Sequence, residues 1–383
     1  MRILQIHPLM KSEALSPAAG GMARASLQLT RLLAERGHEV QVLPIPEGVG
    51  SRELWEVAPG RAVEVAAAMH IPGWREMSWL PGALMRLRPR SDGSKNLLYD
   101  SFTLTALRRE VQLFRPQIIH NHLARRPFPR LARALGLRGN LLLTHHHGEA
   151  GDSLEGYDRI VFPSASARES IAPRIPIPQD RIRHIYNPVS RPFAQCEPAP
   201  GNSREGIWFV GAVRRRKGID LLLDAYRLDH GLWNEPLNIC GVGEDADLVP
   251  QAVREGIPAR WLGHLSQEQL AEKLAAAKLV VVPSRLEGFS IAILEALCCG
   301  VPVVGWAPQI KELEIFLGMP IGRSFDGRTQ TPAELVEIIH GALREWSGDG
   351  GLRPRLATAA RDAFSEERYA AAYLDLYREM TGS

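Results

Sequence analysis

The stretch from Lys278 to Val304 constrains this chain more than any other. Leu279–Val282 is a short, wholly apolar run, as a strand buried on both faces requires. Pro283 stops it, and 284–288 reads as a loop. Ser290 stands where a helix N-cap belongs, ahead of the helical run 291–299. Gly300 and Pro302 end that helix, and 301–304 opens the next strand. Strand, loop, helix, strand is one crossover unit of a parallel sheet, which selects the α/β class.

The loop holds Glu287 and the helix holds Glu295, with seven residues between them. The unpaired N–H groups at a helix start suit a phosphate. The amides of Gly288, Phe289, Ser290 and Ile291 are expected to point at an anion above the C-terminal edge of the sheet. Glu295 lies about a turn and a half into the helix, at roughly 3.6 residues per turn. A carboxylate there suits the vicinal hydroxyls of a sugar. The plainer alternative is a buried crossover with one capping and one surface glutamate, and periodicity alone favours it.

The residue identities point elsewhere. Pro283-Ser284, Glu287-Gly288-Phe289-Ser290, Glu295-Ala296 and Gly300-Val301-Pro302-Val303 together resemble the donor-site signature of glycosyltransferase family 4. These are retaining GT-B enzymes that use nucleotide sugars. The resemblance covers nearly the whole chain and is strongest over 206–305. It implies an α/β architecture of two Rossmann-like, doubly wound parallel-sheet domains facing across a cleft. The expected boundaries are an acceptor-binding domain at 1–190 completed by a C-terminal helix at 366–383, a linker at 191–205, and a donor-binding domain at 206–365.

A chain of 383 residues fits two domains. No apolar stretch reaches the roughly 18 residues that span a bilayer. The residues after Met1 lead straight into a strand rather than a signal peptide. Cys196, Cys240, Cys298 and Cys299 lack metal-ligand spacing, and a reducing cytoplasm is the expected location. Residues 1–190 carry 25 Lys and Arg against 17 Asp and Glu, while the remainder carries 21 against 26. A basic first half and an acidic second half imply different partners. For the first half, a peripheral membrane contact is one expectation.

In the first half, 2–7 reads as a strand, 22–36 as an amphipathic helix and 39–43 as a second strand. Gly20-Gly21 precedes the helix, which is either a tight turn or, by the resemblance, a neighbour of the donor diphosphate and acceptor. Residues 47–95 read as irregular. Trp74 and Trp79 alternate there with Arg75, Arg86, Arg88 and Arg90, as in an interfacial segment or a lid over the acceptor. Strands are expected at 117–120, 141–144, 159–163 and 183–186. His120 and His122 fall at one C-terminal strand end, and His145, His146 and His147 at the next. The segment Thr144-His145-His146 resembles the family's T-x-H, which implies that His146 contacts the donor hexose. His120, His122 and His147 are acceptor-side candidates. No metal is expected, since no supporting carboxylate pattern accompanies the histidines. Asn187-Pro188-Val189-Ser190 departs from the family's Asn-Gly-Val-Asp turn.

The second half restarts the pattern with a strand at 206–210 and the basic loop 211–218. Lys217-Gly218 matches the family's phosphate-binding pair. Ala212 stands where the family usually has Arg, and Arg216 is the expected substitute. Strands follow at 237–240 and 259–262. Gly263-His264-Leu265 resembles the loop that holds the nucleotide base, which places Leu265 in the donor site. Residues 315–325 read as irregular, with helices at 332–346, 352–363 and 366–380.

The resemblance thus implies transfer of a sugar from a nucleoside-diphosphate sugar to a hydroxyl acceptor with retention. The acceptor would be a sugar, a lipid-linked glycan or a small molecule. UDP-sugars come first and GDP-mannose second as donor; no cofactor or nucleic acid is implied. His146, Lys217 and Glu287 are the catalytic candidates. Gly21, Arg216, Lys217, Leu265, Glu287, Gly288, Phe289, Ser290, Ile291 and Glu295 are the donor-binding ones. Two other readings stay open: a nucleotide-sugar 2-epimerase on the same fold, and a catalytically silent partner-binding subunit.

Overall fold

The computed structural model describes residues 1–7, 21–44, 53–66, 107–122, 133, 140–146, 154, 156–171, 177–200, 203–348 and 351–383. They form two compact units. One comprises Met1–Pro163, Ile171–Ile185 and Ala370–Ser383; the other comprises Ser164–Ser170 and Tyr186–Tyr369.

The described strands of the first unit are β1 (Arg2–His7), β2 (Glu39–Pro44), β3 (Glu53–Ala58), β4 (Arg61–Val65), β5 (Ile118–Asn121), β6 (Leu141–Thr144), β7 (Arg159–Phe162) and β8 (Ile182–His184). They form one sheet in the order β3-β4-β2-β1-β5-β6-β7-β8. All neighbours are parallel except the β3–β4 hairpin. That hairpin corrects the irregular reading of 47–95 over its own residues. Trp55 pairs with Val63 across it, and both are buried. Gly60 turns it at φ 68°. Trp74, Trp79 and their interleaved arginines lie outside the described residues, as do Gly20 and His147. Helix Gly21–Glu35 buries Ala25, Leu29, Leu32 and Leu33, spaced for one face.

The second unit holds β9 (Glu205–Val210), β10 (Leu237–Cys240), β11 (Ala259–Gly263), β12 (Ala277–Val282), β13 (Val303–Trp306) and β14 (Gly322–Phe325). Their order is β11-β10-β9-β12-β13-β14, and every pairing is parallel. Leu279 and Val281 enter one hydrophobic cluster, Val280 and Val282 another. β12 is therefore covered on both faces, which explains its unbroken apolar run. Each such side chain contributes about 1.5–3 kcal/mol by leaving water.

The order of strand addition reverses between β9 and β12, the place where open parallel sheets bind ligands. The basic loop leaves β9, and the Glu287 loop leaves β12. Residues 315–325 are not irregular: helix Ala307–Leu317 and β14 occupy most of them. Pro308 begins that helix and Gly318, at φ 65°, ends it. Residues 191–200 pack into the second unit, where Phe193 of the short helix Arg191–Ala194 is wholly buried.

Candidate active site

In the second unit the loops after β9, β10 and β12 interlock. Gly211 N–H donates to Cys240 O at 3.0 Å and Val213 N–H to Val242 O at 3.0 Å. Arg215–Lys217 form one turn of 3-10 helix, ended by Gly218 at φ 76°. A Cβ on Gly218 would lie 2.0 Å from Pro283 O, so only glycine fits. The Lys-Gly pair thus has a structural cause: its glycine lets the β9 loop touch the β12 loop.

That contact delivers Lys217 to Glu287. Lys217 Nζ lies 2.6 Å from Oε1 and 2.7 Å from Oε2, with Glu287 buried and Lys217 half-buried. Ser284 Oγ donates to the same Oε1 at 2.6 Å. An ammonium has three N–H donors, and the carboxylate takes two. Beside this pair, Arg285 forks onto Asp220 at 2.8 and 2.9 Å, and its N–H donates to Arg216 O at 3.0 Å. Arg214 pairs with Glu244 at 3.7 Å, and Arg215 with Asp220 and Asp245 at 3.5 and 3.6 Å. Among the described residues, the exposed Arg216 guanidinium has no ion-pair partner.

Helix Ile291–Cys298 starts beyond Glu287. Ser290 precedes it but does not cap it with its side chain, contrary to expectation. Gln309, on helix Ala307–Leu317, takes over: its Oε1 accepts from Ser290 N–H at 2.9 Å, and its Nε2 donates to Ser290 O at 3.2 Å. One of the four amides expected to face an anion is therefore occupied. Ser290 Oγ is buried and without a partner among the described residues. Phe289 packs its ring inward, 5.6 Å from Tyr186, which leaves its backbone for a ligand. Glu295 is buried within the helix. Gly263 O accepts from Gly241 N–H at 2.7 Å, and Leu265 packs on the core beside it. Trp261, absent from the sequence candidates, donates from Nε1 to Gly241 O at 2.9 Å while keeping 43 % exposure.

The first unit gathers five histidines, His7, His120, His122, His145 and His146, at the C-terminal ends of β1, β5 and β6. His120 has both ring nitrogens engaged, Nδ1 with Tyr377 OH at 2.8 Å and Nε2 with Thr144 Oγ1 at 2.7 Å. Tyr373 OH meets the same Thr144 hydroxyl at 2.8 Å. His122 Nδ1 faces His146 Nε2 at 3.2 Å, with the rings stacked. His7 joins them, 5.1 Å from His122 between centroids and 2.9 Å from Gln5 Oε1. Burial lowers the His7 pKa to about 3. Burial, then neighbouring histidines, hold His120 and His122 well below the usual value. The cluster is a neutral, polar interior. Among the described residues no three His, Cys, Asp or Glu side chains are placed to hold a metal ion. No described helix is long and apolar enough to cross a membrane.

A parallel sheet with a cationic loop and a carboxylate-bearing helix at its switch point is a nucleotide-binding type of α/β unit. Comparison with known proteins agrees. The family described as Glycosyltransferase Family 4 matches residues 19–191, and Glycosyl transferases group 1 matches 197–313. The chain belongs to the family 4 type of group 1 glycosyltransferases. It is 28% identical to the D-inositol 3-phosphate glycosyltransferase of Xylanimonas cellulosilytica, across 99% of this chain and 96% of that one. Its fold is similar to sucrose-phosphate synthase from Thermosynechococcus elongatus, at TM-score 0.70 and 18% identity, covering 100% and 99% of the two chains. It is similar also to Anabaena HepE, solved in complex with UDP-glucose, at TM-score 0.68 and 14% identity, covering 99% and 100%.

Proposed function

We propose that this glycosyltransferase moves a hexosyl group from a nucleoside-diphosphate sugar to a hydroxyl acceptor with retention and without a metal. The observation that carries this reading is the Lys217–Glu287 pair beside the unpartnered Ser290 hydroxyl. The leaving diphosphate gains negative charge. The third N–H of Lys217, the guanidinium of Arg216 and the start of helix Ile291–Cys298 supply positive charge in one neighbourhood of the second unit. Glu287 orients Lys217. Ser290 and the backbone at Gly288, Phe289 and Ile291 bind phosphate or hexose. Glu295 accepts from the ribose hydroxyls, and Leu265 lies against the base. The first unit's share is His146, with Gly21 on the donor side and Gly20, His122 and His147 on the acceptor side; His120, buried with both ring nitrogens engaged, positions Thr144 and the cluster instead of a ligand.

A UDP-sugar is the favoured donor, supported by the similarity to a protein solved with UDP-glucose, and GDP-mannose is second. The acceptor is a sugar, lipid-linked glycan or small molecule in carbohydrate biosynthesis, and the enzyme works in the cytoplasm. The test is a thermal-shift panel of UDP, GDP, ADP and their sugars, where a selective ligand stabilises by mass action. Labelled donor then distinguishes transfer from epimerisation or silence, and the anomeric configuration of the product tests retention. Sedimentation with anionic and neutral vesicles tests whether the basic first half contacts a membrane; salt should weaken that binding.

A further inference from the structure

The cysteines take no part in that reading, yet two of them converge on one carbonyl. Cys196 follows helix Arg191–Ala194, and Cys299 is the C-cap of helix Ile291–Cys298. Their thiols reach one carbonyl: Cys196 Sγ lies 3.4 Å and Cys299 Sγ 3.9 Å from Ala271 O. All three residues belong to the second unit. Access is unequal. A groove of about 620 Å³ lies between helices Arg191–Ala194 and Gln267–Ala275, and Cys196 lines it together with Arg191, Gln195, Ala271 and Glu272. Cys196 keeps 8% exposure and Cys299 none.

We propose that Cys196 and Cys299 are a reversible redox pair, in which a hydroperoxide entering the groove oxidises Cys196 and Cys299 closes a disulfide. The Cys196 thiolate attacks one peroxide oxygen and the O–O bond breaks. This leaves Cys196 as a sulfenic acid and releases hydroxide, which the thiol's own proton turns into water. The Cys299 sulfur then attacks the sulfenic sulfur. The S–S bond forms, the S–O bond breaks, and the Cys299 proton leaves with the hydroxyl as a second water. Two thiols are oxidised by two electrons, and one hydrogen peroxide is reduced to two waters.

Access divides the roles: Cys196 lines the groove and meets the peroxide first, while Cys299 lies wholly inside and resolves the sulfenic acid. Cys298 is pushed up by burial, and Cys240 sits on β10. Cys299 N–H donates to Glu295 O at 3.3 Å, so the bridge would fix the end of the helix that carries Glu295.

The experiment treats the reduced full-length protein with hydrogen peroxide at neutral pH. Intact mass should fall by two hydrogens, and peptide mapping should join Cys196 to Cys299. Dithiothreitol should reverse the change, and the melting midpoint of the oxidised form should rise. Cys196→Ser should abolish the bridge, Cys298→Ser should retain it, and Cys299→Ser should leave Cys196 as a sulfenic acid that dimedone traps. A bridge through Cys298 would overturn the proposal. So would thiols that stay reduced at peroxide concentrations that oxidise the unfolded chain. The peptide map of the unsubstituted protein decides even where a variant fails to fold.

Discussion

Lys217 holds both carboxylate oxygens of Glu287, at 2.6 and 2.7 Å, although 70 positions separate the two residues. Glu287 is in turn fixed by Ser284. The pair therefore works as one positioned unit, with a single ammonium N–H left to face a ligand.

This sets the order of effects in the basic loop. Lys217→Ala and Arg216→Ala should each lower kcat by about 10²–10³, the scale of one lost transition-state donor. Arg215→Ala should change it little, because Arg215 is engaged with Asp220 and Asp245. Steady-state kinetics of the three variants decides the matter: full activity in Arg216→Ala would leave Lys217 to act alone.

Ser290→Ala separates ligand binding from folding. The hydroxyl is buried with no described partner, so its loss should leave stability unchanged or slightly raised. Donor binding should weaken by about 1 kcal/mol, as for one neutral hydrogen bond. Calorimetry with the identified donor, alongside a denaturant titration, reads both. A large stability loss with unchanged affinity would make Ser290 structural.

Glu295→Ala should weaken nucleotide affinity by about 1.5–3 kcal/mol, the range for a hydrogen bond to a charged group. The same loss should appear with the free nucleoside diphosphate. If only the sugar donor loses affinity, Glu295 binds the hexose instead of the ribose.

Gly218→Ala places a Cβ 2.0 Å from Pro283 O at a left-handed φ, so both loops must shift. Unfolding free energy should drop by roughly 2 kcal/mol or more, and activity should fall with it. A crystal structure of the variant with the Lys217–Glu287 contact intact would contradict this.

The histidine cluster predicts a pH dependence of stability. His7, His120 and His122 titrate below the unfolded value of about 6.5, so under that pH the unfolded chain binds more protons. Stability from these groups is complete above that pH and is lost as pH falls. Each histidine contributes a slope of up to about 1.4 kcal/mol per pH unit. For His7 the loss continues down to about 3. Urea midpoints between about pH 7 and about pH 5 should fall less steeply in His7→Asn than in the unsubstituted protein. Parallel curves would mean that His7 is not a buried neutral group.

The crossover at 278–304 was legible because its information is local: an apolar run, a proline stop, two glutamates at fixed spacing and a Gly-x-Pro end. Gln309 was not, since it reaches Ser290 from the next helix, 19 residues on. His7 was missed for a similar reason. Only the parallel register of β1 on β5, with Gln5 beside His120, puts it among the other histidines. Helix Ala307–Leu317 did carry a readable signal, a proline in its first turn and a glycine after its last. The β3–β4 hairpin was hidden because Trp55 and Val63 gain their meaning from each other across the turn.

Helix Glu366–Thr381 begins in the second unit, and from Ala370 onward it belongs to the first. Its Tyr373 and Tyr377 hydroxyls satisfy Thr144 and His120. During synthesis these phenols leave the ribosome only after the whole second unit has been made. Until then His120 and Thr144, at the ends of β5 and β6, have each other and water but not the phenols that complete them. The sheet made before the second unit is thus completed only after it.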